Sequence, residues 1–344
     1  MLPRGRTDLI ADLQFQILSC FAILRAILLA KVGLPRHMSL SESAQHYGGM
    51  IELTLQRVRY SLRGRFSHAN EQNILAGYIE QLLPPDWPRT VVDIGAGNGV
   101  RWSNSYALLL AGWKALGIEA DSQKFGLLQR VYSKFPKAQA ANSLASPHNI
   151  SALLRQYDIE PNFGVLCLDI DGNDYWVLDA ILSNFRPGIV VTEINENIPP
   201  PLRFVVKFDP NFQLRYHFYG YSIAALEDLC AKHQYGILEL EYNNAFLAPK
   251  EIAATHFRDT ERVYRQGYLN RPERQHRFAS NADMEELHSL NPEEGVAFLQ
   301  NFYASDAGNY YLATSKNALA ELIRDDASVK AAEVVPELES VSEE

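Results

Sequence analysis

Residues 90–100 read TVVDIGAGNGV and residues 114–121 read KALGIEAD. The run 91–94 is short, apolar and rich in β-branched residues, and it ends in a glycine-rich turn; 115–119 repeats the pattern. Between them, 102–113 has the length and apolar content of a helix. Working outward, 122–135 reads as a helix, 138–142 as a weaker strand and 150–157 as a helix. The run 164–170 is a strong buried strand, 175–185 a helix and 188–194 a further buried strand. A helix over 221–233 precedes a terminal strand pair, 236–242 with 245–248. Strands spaced by helices predict an α/β domain with a mainly parallel sheet covered on both faces. In such sheets the ligand lies beyond the carboxyl ends of the strands, so function is sought there.

After the first strand come Asp93, Gly95, Gly97 and Gly99, whose glycines let backbone approach a ligand closely. Glu119 ends the second strand, where a carboxylate can accept both hydroxyls of a ribose. The spacing is G-x-G-x-G, not the G-x-G-x-x-G of dinucleotide folds, and it suits a nucleoside ligand with no pyrophosphate. The strongest strand runs into DIDGNDYW, residues 169–176. Its carboxylates Asp169, Asp171 and Asp174 repel one another unless protons or a cation neutralise them. Oxygen donors of this kind suit Mg²⁺ or another hard divalent cation. Glu193 and Asn195 end the neighbouring strand, so Asp169, Asp171, Glu193 and Asn195 form a candidate cation site. The competing reading has Asp171 and Asp174 capping the next helix while Asp169 faces a cofactor. His217 is the first candidate proton acceptor, because its ordinary pKa lies near neutrality; Asp174 is the second.

The 344 residues carry 41 Asp and Glu against 32 Lys and Arg, an acidic balance that argues against nucleic acid. Cys20, Cys167 and Cys230 are widely spaced in apolar stretches, which fits reduced thiols and a cytoplasmic setting rather than a disulfide framework. Residues 13–32, LQFQILSCFAILRAILLAKV, have no clean polar face. They suit a packing or oligomer helix, a membrane-surface segment or a span, although a central Arg25 costs ~2.5–3.5 kcal/mol on insertion. The expected organisation is an N-terminal helical extension (1–64), a core (65–250), a C-terminal extension or lid (251–320) and an acidic tail (321–344).

DIGAGNG followed by GIEAD resembles the first two motifs of class I S-adenosylmethionine-dependent methyltransferases. That resemblance implies a Rossmann-like, seven-stranded sheet with S-adenosylmethionine as cofactor. Asp93, Gly95 and Gly97 would line its methionine and ribose part, with Glu119 on the ribose hydroxyls and Asn142 and Ser143 near the adenine. LDIDGNDYWVLDAI, RPGIVVTEIN, YHFYGYSIAALEDL and EYNNAFLAP together resemble FkbM-like methyltransferases over roughly residues 66–250. The sequence departs from that pattern at Tyr221, at Leu247 and in the block ahead of the first strand. This resemblance implies O-methylation of a hydroxyl on a sugar or natural product, with a small-molecule or saccharide acceptor. A related macrocin-type group holds Mg²⁺ at positions comparable to Asp169, Asp171 and Glu193. A non-catalytic scaffold on the same fold, or a membrane-associated interaction protein, is the alternative; intact Asp93, Gly95, Gly97 and Glu119 weigh against it.

Overall fold

The computed structural model describes residues 66–326. In chain order the elements are α1 (Glu71–Leu82), β1 (Thr90–Ile94), α2 (Tyr106–Leu110), β2 (Lys114–Glu119) and α3 (Ser122–Tyr132). Next come β3 (Ala138–Asn142), α4 (Ile150–Gln156), β4 (Val165–Leu168), α5 (Asp174–Leu182) and β5 (Ile189–Glu193). Then follow β6 (Arg203–Val206), α6 (Ile223–His233), β7 (Tyr235–Glu241), β8 (Asn244–Pro249), α7 (Lys250–Ala253) and α8 (Thr260–Tyr264). The chain continues through α9 (Arg274–Arg277), α10 (Pro292–Phe302), β9 (Tyr310–Ala313) and α11 (Lys316–Asp325).

Seven strands form one sheet in the order β3-β2-β1-β4-β5-β8-β7. β1 to β5 run parallel, and β8 alone is reversed, pairing antiparallel with β5 and with β7. This is the Rossmann-like, mostly parallel sheet of the class I methyltransferase fold. The central strands explain it locally. β1, β4 and β8 are buried along their whole length, as strands covered on both faces must be, whereas the edge strand β3 leaves Gln139 and Asn142 exposed. α1 is tied to the reversed strand by its first residue: buried Glu71 accepts the Ala69 N–H and the Asn244 side-chain amide.

Several boundaries differ from the sequence reading, each for a visible reason. The helix expected over 102–113 is only Tyr106–Leu110. Ser103 Oγ accepts the N–H groups of Ser105 and Tyr106 just before it, and Gly112, at φ +82°, stops it. β4 ends at Leu168, because Ile170 and Gly172 turn to donate to the Asp174 carboxylate. A second sheet, β6 paired antiparallel with β9, was not anticipated. α11 runs through residue 320 to Asp325, so the expected boundary of the acidic tail falls inside a helix. The segments 13–32 and 1–64, and the tail beyond 326, lie outside the described residues. Among the described residues no helix is long and apolar enough to cross a membrane.

Candidate functional site

The glycine turn after β1 is fixed from both sides. Gly95 sits at φ +83°, and a Cβ there would overlap the carbonyl oxygen of Asp169, so the β1 and β4 loops touch through that glycine. Gly97, at φ +57°, has none of the described residues within 4 Å of where its Cβ would be, so among those residues the turn presents bare backbone. Its N–H donates to Glu119 Oε2 at 2.8 Å, while Glu119 Oε1 accepts the Asp121 N–H at 2.8 Å. The two motifs the sequence placed at the ends of β1 and β2 are therefore joined directly. Asp121 then caps α3, accepting from Gln123 and Lys124. Asn142 donates to the carbonyls of Glu119 and Ala120, and the Ser143 N–H to that of Glu119, which draws the end of β3 onto the same spot. Asp93 lies beneath the turn, buried and accepting from Ser105 Oγ; burial pushes its pKa up to about 6.

The second cluster is built by the loop between β4 and α5. Asp174, almost fully buried, accepts the N–H of Ile170 and of Gly172, each at 2.8 Å, one per carboxylate oxygen. That clamp holds Asp171 at φ +58°, a conformation rarely adopted by residues other than glycine. Asp169, Asp171 and Glu193 converge, each with a carboxylate oxygen within 4.8 Å of the others'. Surrounding protein and the charges of Asp174 and Asp171 push Asp169 up to about 7, although its side chain reaches solvent. Burial, followed by the Asp169 charge, holds Glu193 well above the usual carboxylate range. Asn243 donates to Glu193 Oε1 at 2.6 Å and orients it.

Three of the four expected cation donors are thus brought together. The fourth, Asn195, is directed elsewhere: its amide donates to the carbonyls of His217 and Tyr219, and its oxygen accepts from Asn197. Asp174 is spent on the two backbone groups it clamps. His217 is buried, its Nε2 lies 3.0 Å from Asp283, and its ring packs between Tyr216 and Phe302. No hydrogen bond or ion pair joins that ring to Asp169, Asp171 or Glu193. Sequence reasoning missed Asn243, Asp283 and the strap over 207–218. Asn173 exchanges hydrogen bonds with the backbone of Asp209 in that strap, and Phe212 lies where a Cβ on Gly172 would be. Only the glycine in DIDG signals such a close approach.

The chain matches no known protein family and no curated protein by sequence. Solved structures similar to it include a magnesium protoporphyrin IX methyltransferase from Synechocystis PCC 6803 with bound S-adenosylmethionine. It is 13% identical, with a TM-score of 0.34, over 52% of this chain and 76% of that one. Another is the N-terminal domain of EvdMO1 in the presence of S-adenosylhomocysteine and D-fucose (11%, TM-score 0.36, 53% and 83%). A third is a TehB-like S-adenosylmethionine-dependent methyltransferase from Corynebacterium glutamicum (14%, TM-score 0.34, 58% and 97%). The likeness is confined to roughly half of this chain, and the fold itself rests on the strand order and directions above.

Proposed function

We propose that the protein is an S-adenosylmethionine-dependent O-methyltransferase acting on a hydroxyl of a saccharide or glycosylated acceptor. The observation that carries the reading is the junction of Gly97 with Glu119. Backbone that no other described residue covers lies there, beside a carboxylate whose oxygens each accept one N–H and keep lone pairs for ribose hydroxyls. Gly95, Gly97 and Glu119 would hold the nucleoside and methionine parts of the cofactor, with Asn142 and Ser143 beside the adenine and Asp93 supporting the turn from below. When bound, S-adenosylmethionine supplies an electrophilic methyl on a sulfonium.

The residues of this chain do the rest. The turn fixes the position of the cofactor, and positioning supplies much of the rate of an in-line displacement. Asp169 sits in contact with that turn, and its pKa near 7 suits it to take the proton leaving the acceptor hydroxyl. Glu193, held by Asn243, shares that proton and keeps Asp169 oriented. The same trio of carboxylates fits a hard divalent cation: three oxygen donors converge, and among the described residues no basic side chain pairs with them to relieve their repulsion. Such a cation would supply the positive charge that acidifies a hydroxyl pair, replacing the shared proton.

The test is transfer of labelled methyl from S-adenosylmethionine to a panel of saccharides and glycosides, with and without Mg²⁺, by wild type and Asp169→Asn. Turnover by wild type, lowered at least a hundredfold in the variant with cofactor affinity kept, is expected. Label appearing only on amines, or equal turnover by both proteins, refutes the assignment to a hydroxyl acceptor with Asp169 as base.

A further inference from the structure

Away from the strand ends, the second sheet carries a feature the methyltransfer reading does not use. In the β6–β9 pair Lys207 N–H donates to the Asn309 carbonyl, and Val205 faces Tyr311 in register. Antiparallel pairing alternates, so the backbone groups of Tyr311 and Ala313 point at β6, and those of Tyr310 and Leu312 point away from it. β6 confirms the phase: Val206 N–H and the Phe204 carbonyl bond on its opposite side, to Gly220 and Ser222. Among the described residues no strand or backbone group pairs with the outer edge of β9.

None of the described residues blunts that edge. It floors a cavity of about 1200 Å³ walled by α10 on one side and α11 on the other. Val296 of α10 and Ala318 and Leu322 of α11 give the walls an apolar surface, and Leu322 is 45% exposed. The rim is acidic. Glu293 and Glu321 are exposed with no ion-pair partner among the described residues, while the one lysine at the cavity, Lys207, is already bound to Asp326 at 2.6 Å.

We propose that this groove takes up an extended, basic and apolar peptide segment of a partner protein, which adds as a strand to the outer edge of β9. Main-chain hydrogen bonds to Tyr310 and Leu312 supply register, and alternate side chains of the peptide meet the two helical walls. Charge selects the occupant. The chain's own C-terminal stretch, EVVPELESVSEE, is acidic and has the same sign of charge as the rim. A second copy pairing β9 to β9 brings two acidic rims together.

The test uses fluorescent hexapeptides alternating Lys with Val, alternating Glu with Val, and Lys with Val interrupted by Pro. Each is titrated by anisotropy against the full chain at low and high salt, and amide exchange is followed at Tyr310, Tyr311 and Leu312. The expected result is saturable, salt-sensitive binding of the uninterrupted Lys–Val peptide alone. Exchange at Tyr310 and Leu312 slows, and Tyr311, already paired, does not change. Glu293→Lys with Glu321→Lys, both at exposed positions, should weaken that peptide about tenfold and raise affinity for the Glu–Val peptide. Absence of binding, binding that leaves the two amides unchanged, or equal binding of the acidic peptide overturns the proposal. Protection without peptide overturns it too: dependence on protein concentration would assign the edge to a second copy, and loss on deleting residues 327–344 to the chain's own end.

Discussion

Gly95 and Asp93 sit two residues apart and answer to different physics. At Gly95 the backbone is left-handed and the neighbour is a carbonyl oxygen, which cannot rotate aside. Gly95→Ala therefore should destabilise by more than ~3 kcal/mol and abolish soluble expression. Gly126, inside α3 with none of the described residues within 4 Å of its Cβ position, is the contrast: Gly126→Ala should stabilise by ~1 kcal/mol in thermal melts. Asp93 has a folded pKa of about 6 against an ordinary 3.8, raised by burial. The folded state then binds more protons than the unfolded state between those values, so stability falls as pH rises through that window and stays lost above it. Two units correspond to about 3 kcal/mol. Asp93→Asn, which keeps an acceptor for Ser105, should gain stability over wild type at pH 8 and lose that advantage below pH 4. A pH-independent difference would contradict the burial argument.

At the scale of elements, the loop between β4 and α5 decides what the acidic residues do. Asp174→Ala leaves the Ile170 and Gly172 N–H groups without their acceptor, at ~1–3 kcal/mol each where they stay buried. The urea midpoint should fall with the slope unchanged, and cation affinity should fall at least tenfold. Lost turnover with unchanged stability would instead return Asp174 to the role of base. The parallel strands were legible because β1, β4 and β5 are buried on both faces and read as apolar runs. β6 and β9 were not: each is four residues long, and Arg203–Val206 finds its partner only at Tyr310–Ala313. Asn195 shows a subtler failure. Two residues after Glu193, it would share that residue's face if the strand continued. β5 stops at Glu193, Ile194 bonds to Asn243, and the turn carries Asn195 to the carbonyls of His217 and Tyr219. Phe212 reaches the Gly172 loop, and Asp283 reaches His217, from distant segments, and no local pattern announces either of them.

Across the described residues, the sheet gathers acidic side chains at one end: Asp93, Glu119 and Glu193 lie at or next to the last residue of a strand, Asp169 and Asp171 in the loop after β4, and Asp174 opens α5. An assembly of that sign favours a cationic ligand such as a sulfonium or a divalent ion. Mg²⁺ at a hundred times its Kd should add about 2.7 kcal/mol to stability and raise Tm by several degrees. Asp171→Asn should remove the shift, and an unshifted wild type would deny the cation site. The proposed nucleoside site is more central, because the proposed activity depends on Gly97 and Glu119. Its most direct test is calorimetric titration of S-adenosylhomocysteine into wild type and Glu119→Ala, both shown to be folded by circular dichroism. The account predicts one site per chain in wild type and an affinity at least tenfold weaker in the variant. A folded wild type that takes up no S-adenosylhomocysteine, or a variant that binds it equally well, would contradict it.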